Sequence, residues 1–365
     1  MIIKSIDTVE FGLDVEEYNY SIIPLIEKLH FLKEKAQETG REQPLEVGNI
    51  VLMVQRTGVP FYAYKAICKD FSICFMETHK GNNPPVFVRF MSSFLWSYGI
   101  EKSFQIFYEW FNSLGLTIFA DKLSRIDVCL DTDEAIFKET DINGVSTRSR
   151  HKEKHFVNDE FKLGRQFSGF TFGRGEVVGR IYNKSLEIKS SGKVWFRDIW
   201  NEHDYNSIQD VWRVEFQLRR KMLREFGIDS VSDFFRKEEG IWAYLTQEWL
   251  TIRIPSKDSN EARWRIKPKW KRVQKASFNY LPSPLIREKI KVGNEKQLLD
   301  QASGLILSLA AISDHETIDK TLGRLKMWFE LNLANKNTTF DTEKNLRKKR
   351  FLSNAESGGI VNEVE

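Results

Sequence analysis

The chain has 365 residues, of which 41% are hydrophobic and 13% aromatic, and its 55 Lys and Arg against 51 Asp and Glu give a formal net charge of +4. This composition is typical of a globular protein and excludes a disordered or fibrous chain, and the length suggests about two domains. Because the net charge is small, affinity for a polyanion would have to come from where the cations lie.

The cysteines and the most apolar segment bear on the compartment. Cys68, Cys74 and Cys129 form no CxxC pair, which argues against a disulfide framework or a thiolate zinc site and predicts a cytoplasmic protein. The first residues lack the apolar core of a signal peptide. The stretch ASGLILSLAAI at 302–312 is far shorter than the ~20 residues needed to cross a bilayer. We therefore expect no membrane span and interpret 302–312 as a buried helix.

The first half of the chain predicts strands with a few helices. Residues 6–13 form a candidate strand, and residues 21–37 have apolar residues at helical spacing with Pro24 in the first turn. Four short runs rich in β-branched and aromatic residues follow within 49–90, and the turn clusters between them indicate antiparallel strands. Phenylalanines at spacings of three and four then predict a helix that ends at Gly115.

The second half predicts more strands and then helices. A polar, basic connection runs to about residue 160, and the strand candidates around it are 124–133, 166–173, 177–184 and 211–220. The absence of a regular βαβ alternation favours an α+β fold with a mainly antiparallel sheet. We expect this sheet domain within 1–275, a helical region at 276–335 and a flexible basic tail at 336–365.

Two of the predicted strands carry acidic residues on one face. Alternation places Asp127 and Asp131 on the polar face of 124–133, and Glu215 on the polar face of 211–220. If the strands are neighbours, these oxygen donors suit Mg²⁺ or Mn²⁺, which would polarise a phosphodiester. The pattern alone favours the other interpretation, a half-exposed sheet with cross-strand ion pairs on its wet side.

A tyrosine in the segment GRIYNKSLEIK at 179–189 is the candidate nucleophile. If 178–184 is extended, Arg180 and Lys184 flank Tyr182 on one face, where they would favour the phenolate and bind a phosphate oxygen. The alternative is an ordinary strand tyrosine with solvated cations beside it. The sequence contains no His-hydrophobic-His triplet and no phosphate-binding GxxxxGK[ST] loop. The two histidines of HKEKH, at 151–155, favour a solvent-facing patch over a helical pair.

Several of these segments together resemble the replication initiation factor (Rep_trans) family, tyrosine nickases that start rolling-circle replication of small plasmids or act as relaxases of conjugative elements. The matching segments cover roughly residues 5–275 in the family order: PPVFVRFMSSFLWSYG (84–99), SRIDVCLDTD (124–133), GFTFGRGEVVGRIYNKSLEIK (169–189), WRVEFQLRR (212–220) and DSNEARWRIKPKWKRV (258–273). The most specific is GFTFG followed by RIYNK and Glu187. The turn at 174–176 is shorter and more acidic than the family's, and no helix-turn-helix precedes the first strand.

The resemblance implies a metal-dependent nickase core. Tyr182 would attack a phosphodiester in single-stranded or extruded origin DNA, leaving a 5′-phosphotyrosine and a free 3′-hydroxyl. Asp127 and Glu215 would bind Mg²⁺ or Mn²⁺, with Asp131 as a third ligand. Arg180 and Lys184 would stabilise the developing charge, and Glu187 would orient Lys184.

The basic segment 253–275 would hold the DNA strand by phosphate contacts and base stacking. The residues expected to do this are Arg263, Trp264, Arg265, Lys267, Lys269, Trp270, Lys271 and Arg272. We expect a host helicase, a polymerase and a second copy of the chain as further partners, and no membrane. The alternative function is a DNA-binding regulator that forms no covalent bond, which would be favoured if the Tyr182 hydroxyl lay far from both carboxylates.

Overall fold

The computed structural model describes residues 1–81, 83–158, 164–277 and 295–353. Within these residues most strands form one large antiparallel sheet, and β8 and β13 form a small second one. The strands are β1 Ile2–Val15, β2 Gln43–Val47, β3 Ile50–Val54, β4 Tyr64–Ile67, β5 Phe71–Phe75, β6 Val86–Phe90, β7 Ile118–Thr132, β8 Val145–Thr147, β9 Lys152–Asn158, β10 Arg165–Phe172, β11 Val177–Asn183, β12 Trp212–Arg219 and β13 Leu250–Ile252.

Helices cover both faces of the sheet and continue beyond it. They are α1 Tyr18–Ser21, α2 Ile23–Thr39, α3 Ser92–Tyr98, α4 Ile100–Asn112, α5 Lys184–Ser191, α6 Phe196–Glu202, α7 Arg220–Glu225, α8 Val231–Phe235, α9 Glu238–Tyr244, α10 Pro268–Lys275, α11 Glu295–Ser313, α12 Ile318–Asn335 and α13 Phe340–Ser353. The α+β class and the antiparallel sheet predicted from the sequence are confirmed.

The strand order brings distant parts of the chain together. The sheet runs β2-β3-β4-β5-β6-β1-β7-β12-β11-β10-β9. The long strands β1 and β7 pair along most of their lengths, and β7 also pairs with β12. The candidate strands at 124–133 and 211–220 are therefore neighbours, as the hypothesis of a shared polar face requires.

The two faces of the central strands bury different kinds of side chain, apolar on one face and charged on the other. Ile126, Val128 and Val214 point into the main apolar core. On the opposite face Asp131 and Arg213 are both 0% exposed, because Trp96 of α3 and the aromatic residues of α6 cover them in a second buried cluster to which α5 adds Ile188. The expectation of a half-exposed, wet polar face is therefore wrong for this part of the sheet.

Three segments differ from the sequence prediction. The connection before residue 160 contains β9, which begins at Lys152, so His155 is in a strand, His151 precedes it, and the two histidines do not share a helix. The stretch 302–312 is helical within α11, but Leu305, Leu307 and Ile312 are 72%, 70% and 86% exposed. The reason is that the described residues offer no core on which this helix could pack. No described helix is both long enough and apolar enough to span a membrane.

The predicted tail at 336–365 contains α13, which packs against β2 and β3. Arg41 forms an ion pair with Glu343, and the Lys349 Nζ lies 2.7 Å from the Glu46 carboxylate. These contacts give the segment a docking surface that its own composition does not reveal. Residues 278–294, just after the predicted boundary at 275, and residues 354–365 lie outside the described residues.

Candidate functional site

The central feature of the site is the hydrogen-bonded group around Glu215. Antiparallel pairing of β11 with β12 sets Arg180 opposite Glu215 and Tyr182 opposite Arg213. The Tyr182 hydroxyl donates to Glu215 Oε2 at 3.0 Å, and Arg180 Nη1 donates to Glu215 Oε1 at 3.0 Å. Arg180 Nη2 also donates to Gln217 Oε1 at 3.1 Å. Phenol, guanidinium and carboxylate are thus assembled from two adjacent strands.

Asp127 lies beside this group on the next strand, β7. In the pairing of β7 with β12, Asp127 lies opposite Gln217, which is two residues from Glu215 and on the same face of β12. Arg125 binds both of its oxygens, at 2.8 Å from Nε and 2.5 Å from Nη2, and also donates to Glu10 at 3.1 Å. Asp127 and Glu215 are both buried. The sheet therefore holds two carboxylates close together, each with an arginine partner.

The electrostatic environment disfavours the charged form of Asp127. Burial, followed by repulsion from Glu215 and Asp7, raises the pKa of the Asp127 carboxyl to about 7, although Arg125 opposes the change. Arg125 therefore does not fully offset burial and repulsion at Asp127. The site is thus electrostatically suited to an additional cation.

The phenol of Tyr182 is held in its protonated form. Burial raises the Tyr182 pKa well above its usual value, and Glu215 and Asp7 raise it further, while Arg213 acts in the opposite direction. The sequence-based expectation that Arg180 and Lys184 favour the phenolate is therefore wrong for this structure. The reason is that Arg180 is paired with Glu215 and Lys184 with Glu187.

Lys184 does not continue the strand. It is the first residue of α5, and Asn183 caps that helix by accepting from the Leu186 N–H at 3.0 Å. The Lys184 Nζ lies 2.5 Å from Glu187 Oε2 and 5.7 Å from the centre of the Tyr182 ring. The predicted Glu187–Lys184 contact is present. Burial and then Arg213 lower the Lys184 pKa.

The predicted third ligand, Asp131, is not beside the other two carboxylates. It lies four positions along β7 from Asp127, about 13 Å at the usual rise per residue. Its oxygens accept from Arg213 Nε and Nη2 at 2.5 and 2.9 Å, and Trp200 Nε1 donates to it at 3.0 Å. Asp131 thus belongs to a buried ion pair that joins β7 to β12 through Arg213, the residue opposite Tyr182.

Asp7 is a site residue that the sequence analysis missed. It lies at a bulge in β1, and its Oδ1 accepts from Arg213 Nη1 at 2.6 Å. Burial opposes its ionisation, but Arg213, Lys184 and Lys193 lower the Asp7 pKa to about 2. The sequence contains a signal for this bulge. Residues on one face of a regular strand are an even number of positions apart, but the core residues Ile6 and Val9 are three positions apart.

Asp127 and Glu215 fit a divalent cation in the chemistry of their donors. Both are buried hard oxygen ligands, and repulsion from Glu215 contributes to the raised pKa of Asp127. Among the residues that the structure describes, no three His, Cys, Asp or Glu side chains lie close enough to form a metal site. A Mg²⁺ ion commonly uses one or two carboxylates and completes its shell with water and phosphate. The pair is therefore compatible with Mg²⁺ or Mn²⁺, in competition with Arg125 and Arg180.

The basic segment differs from its predicted role at three positions. Trp270 is 0% exposed and its Nε1 donates to the Thr246 carbonyl at 2.8 Å, so the prediction that it stacks on a base is wrong. Lys267 and Lys269 both bind Asp141, at 2.6 and 2.5 Å. Trp270 is buried because α10 packs its apolar face against the main core, of which Trp270 is a part.

The other predicted DNA-binding residues remain at the surface. Trp264 is half-buried, and its Nε1 donates to the Asp258 carbonyl at 2.7 Å. Arg265 and Lys271 are exposed. Arg263 lies 3.9 Å from Asp258, and Arg272 lies 3.9 Å from Glu134. The cations available to a phosphate are therefore fewer than the sequence suggests.

Comparisons with known proteins find a likeness only among solved structures. No protein-family model matches the chain, and no curated protein matches it. Among solved structures, the chain is similar to a rolling-circle replication initiator protein from Geobacillus stearothermophilus, with 14% sequence identity and a TM-score of 0.45 over 77% of this chain and 99% of that chain. Because these values are low, we base the functional proposal on the geometry of the site.

Proposed function

We propose that this protein is a DNA-nicking and strand-transfer enzyme that initiates rolling-circle replication or conjugative transfer, with Tyr182 as its nucleophile. The observation that carries the proposal is the 3.0 Å hydrogen bond from the Tyr182 hydroxyl to Glu215 Oε2, with Arg180 bound to the same carboxylate. A nucleophile bonded to a base that is itself oriented by a third group is the arrangement that covalent catalysis requires. The non-covalent regulator gains no support from this contact.

The reaction follows from the positions of these groups. The Tyr182 oxygen forms a bond to phosphorus as its proton passes to Glu215, the acceptor already in place. The bond from phosphorus to the 3′ oxygen breaks, and that oxygen takes a proton to become a free 3′-hydroxyl. The DNA 5′ end remains attached through a phosphotyrosine. In the proposed reaction Arg180, which is bound to the same carboxylate, would donate to the phosphorane oxygens.

The proposal includes a metal ion held by Asp127 and Glu215. When bound, Mg²⁺ or Mn²⁺ would polarise the phosphodiester and offset the charge that develops on it. Burial and then repulsion from Glu215 raise the Asp127 pKa to about 7, and the ion would offset the repulsion. Asp131 is outside the proposed ligand pair, because Arg213 and Trp200 already occupy its oxygens.

The proposed substrate is single-stranded or extruded origin DNA. Trp264, Arg265 and Lys271 are the members of the basic segment that we propose contact it. The proposal also includes the partners expected from the sequence, namely a polymerase that extends the 3′-hydroxyl, a host helicase that opens the duplex, and a second copy of the chain.

The test is formation of a covalent adduct. The full-length protein is incubated with single-stranded circular DNA and Mn²⁺, and a denaturing gel is scored for protein-linked DNA that disappears after protease treatment. We expect the adduct with the parent and only background with Tyr182→Phe, because that change removes the attacking oxygen and keeps the ring. Tyr205→Phe is the matched control and should behave as the parent.

Two results would contradict the proposal. An adduct of unchanged yield in Tyr182→Phe would assign the nucleophile to another residue. No adduct from the parent with Mg²⁺ or Mn²⁺, on several candidate origin sequences, would favour the DNA-binding regulator.

A further inference from the structure

A cavity of about 760 Å³ opens beside Tyr182, and the proposed reaction does not use most of it. Strands β9, β10 and β11 form its floor, and helix α5 forms one wall. The pairing of β9 with β10 places His155 opposite Gly169, and Gly169 is opposite Tyr182 on β11. These residues therefore share one face of the sheet with the nucleophile.

The lining combines apolar walls with hydrogen-bonding groups. Val157 and Leu186 supply apolar side chains, and Gln166 and Ser168 supply amide and hydroxyl groups. Among the residues that the structure describes, neither polar side chain has a hydrogen-bond partner. Charged residues also line the cavity, namely Arg180, Glu187 and Lys189. Apolar surface combined with polar groups that fix orientation is typical of a site for a small organic group.

Two further residues give the cavity a defined shape. His155 Nε2 lies 2.8 Å from Thr171 Oγ1, which fixes the imidazole at the edge of the floor. Gly169 has φ +156, and a Cβ there would lie 2.3 Å from the Ile181 carbonyl oxygen and 2.8 Å from the Tyr182 Cα. Only glycine permits this close approach of β10 to β11.

The cavity adjoins the groups that would face a phosphate. Tyr182 and Arg180 both line it. We propose that it binds one unstacked nucleobase of single-stranded DNA, from a nucleotide next to the phosphate that Tyr182 attacks. This inference rests on the proposed function for its substrate class and adds a base-binding site to it. Proteins that bind single-stranded DNA commonly hold unstacked bases against side chains while cations contact the backbone.

The test uses two adjacent serines of α5. Ser190 lines the cavity and Ser191 does not, and both are exposed. Ser190→Trp should fill the cavity, and Ser191→Trp is the matched control. Both are made in full-length protein carrying Tyr182→Phe, so that binding is measured without cleavage. The probes are a fluorescent oligothymidylate and an abasic chain with the same number of phosphates.

We expect the oligothymidylate to bind more tightly than the abasic chain to the parent and to Ser191→Trp. In Ser190→Trp its affinity should fall by about 5- to 100-fold, the range for loss of one base contact, while the abasic chain binds as before. The salt dependence of binding should not change, because phosphate contacts are retained. Equal affinities of the two tryptophan variants for the oligothymidylate would overturn the proposal.

A second measurement needs no substitution in the cavity. An oligonucleotide containing 5-bromodeoxyuridine is irradiated with the protein, and crosslinked peptides are identified by mass spectrometry. We expect crosslinks within 155–157, 166–171 or 182–190, and crosslinks confined to other segments would overturn the proposal. The outcome is separable from that of the nicking test. If the parent forms the adduct but binds both probes equally well, only the cavity proposal is refuted. If no adduct forms but the oligothymidylate binds more tightly than the abasic chain, and Ser190→Trp abolishes that difference, only the nickase proposal is refuted.

Discussion

Glu215 connects the two strands of the site through hydrogen bonds that it accepts from Tyr182 and Arg180. Its role as proton acceptor can be separated from its role in packing, because glutamine has the same size and still accepts a hydrogen bond from the phenol. What glutamine cannot do is take the phenol proton or supply a full charge to a metal ion.

We therefore predict that Glu215→Gln lowers the rate of adduct formation by about 10²- to 10⁴-fold, the usual contribution of a general base. Binding of single-stranded DNA and the thermal unfolding midpoint should stay close to those of the parent. The measurement is single-turnover cleavage of labelled DNA with Mn²⁺. Cleavage at the parent rate would show that another group accepts the proton.

Asp127 gives a prediction for the pH dependence of stability. Its pKa is raised from 3.8 to about 7 in the fold, so the folded protein holds a proton that the unfolded chain releases. The stabilisation is fully present below about pH 4, decreases as pH rises, and is lost above about pH 7. The free energy of unfolding should fall over this window by at most about 1.4 kcal/mol per pH unit.

The measurement for this prediction is urea unfolding from pH 4 to pH 8 with a chelator present. Asp127→Asn cannot titrate, so the difference between parent and variant isolates the contribution of this carboxyl from those of other groups. We expect the parent to lose stability relative to the variant as pH rises. A constant difference would mean that Arg125 keeps Asp127 ionised throughout.

At the scale of single elements, alternation in the sequence predicted the strands that bear the site. The sequence predicts β7, β11 and β12 because their residues alternate between apolar and polar. Every second side chain of these strands enters the main core. Alternation assigns residues to a face but not to its surroundings. The burial of Asp131 and Arg213 depends on α3, α5 and α6, whose packing is a tertiary effect.

The sequence signal for the two edge strands, β9 and β2, was weak for physical reasons. β9 is an edge strand in which Lys152, Glu153 and Lys154 face solvent, so it has the composition of a loop. β2 contains Pro44, which disfavours a strand prediction but is tolerated at the other edge of the sheet. His155 was overlooked as a cavity residue because its position depends on β9 being a strand.

The two tryptophans of the basic segment give opposite predictions. Trp270→Ala should lower the free energy of unfolding by about 3–5 kcal/mol, because it removes a fully buried ring. Trp264→Ala should leave stability nearly unchanged and weaken binding of single-stranded DNA by about 1–3 kcal/mol, the usual value of one stacked base. The measurements are urea unfolding and fluorescence anisotropy. If Trp264→Ala bound DNA as tightly as the parent, this segment would have no stacking role.

At the scale of the whole molecule, α13 joins the end of the described chain to β2 and β3. Arg41 and Glu343, 302 positions apart in sequence, form an ion pair in which the Glu343 side chain is 8% exposed and the Arg41 side chain 35%. The contact closes a very long loop of chain, so its strength reports on whether the C-terminal region stays docked to the sheet.

We predict a coupling energy of about 0.5–1 kcal/mol between Arg41 and Glu343 in a double-mutant cycle of alanine substitutions, as for a partly screened pair. The control is the pair Asp341–Lys344 within α13, which is exposed and local and should give a smaller value. Thermal unfolding of the full chain provides the measurement. A coupling energy of zero for Arg41 and Glu343 would indicate that α13 is not docked in solution.

The strand order has a consequence for the protein during its synthesis. Asp7 and Asp127 lie on β1 and β7, but β11 and β12 add to the sheet beside β7 only after residue 219 has left the ribosome. Pairings between such distant segments form late and slowly. A nascent chain therefore brings Tyr182 against Glu215 only after most of the sheet domain has been made. Fragments released before that point would lack this contact, so they could not carry out the proposed nicking reaction.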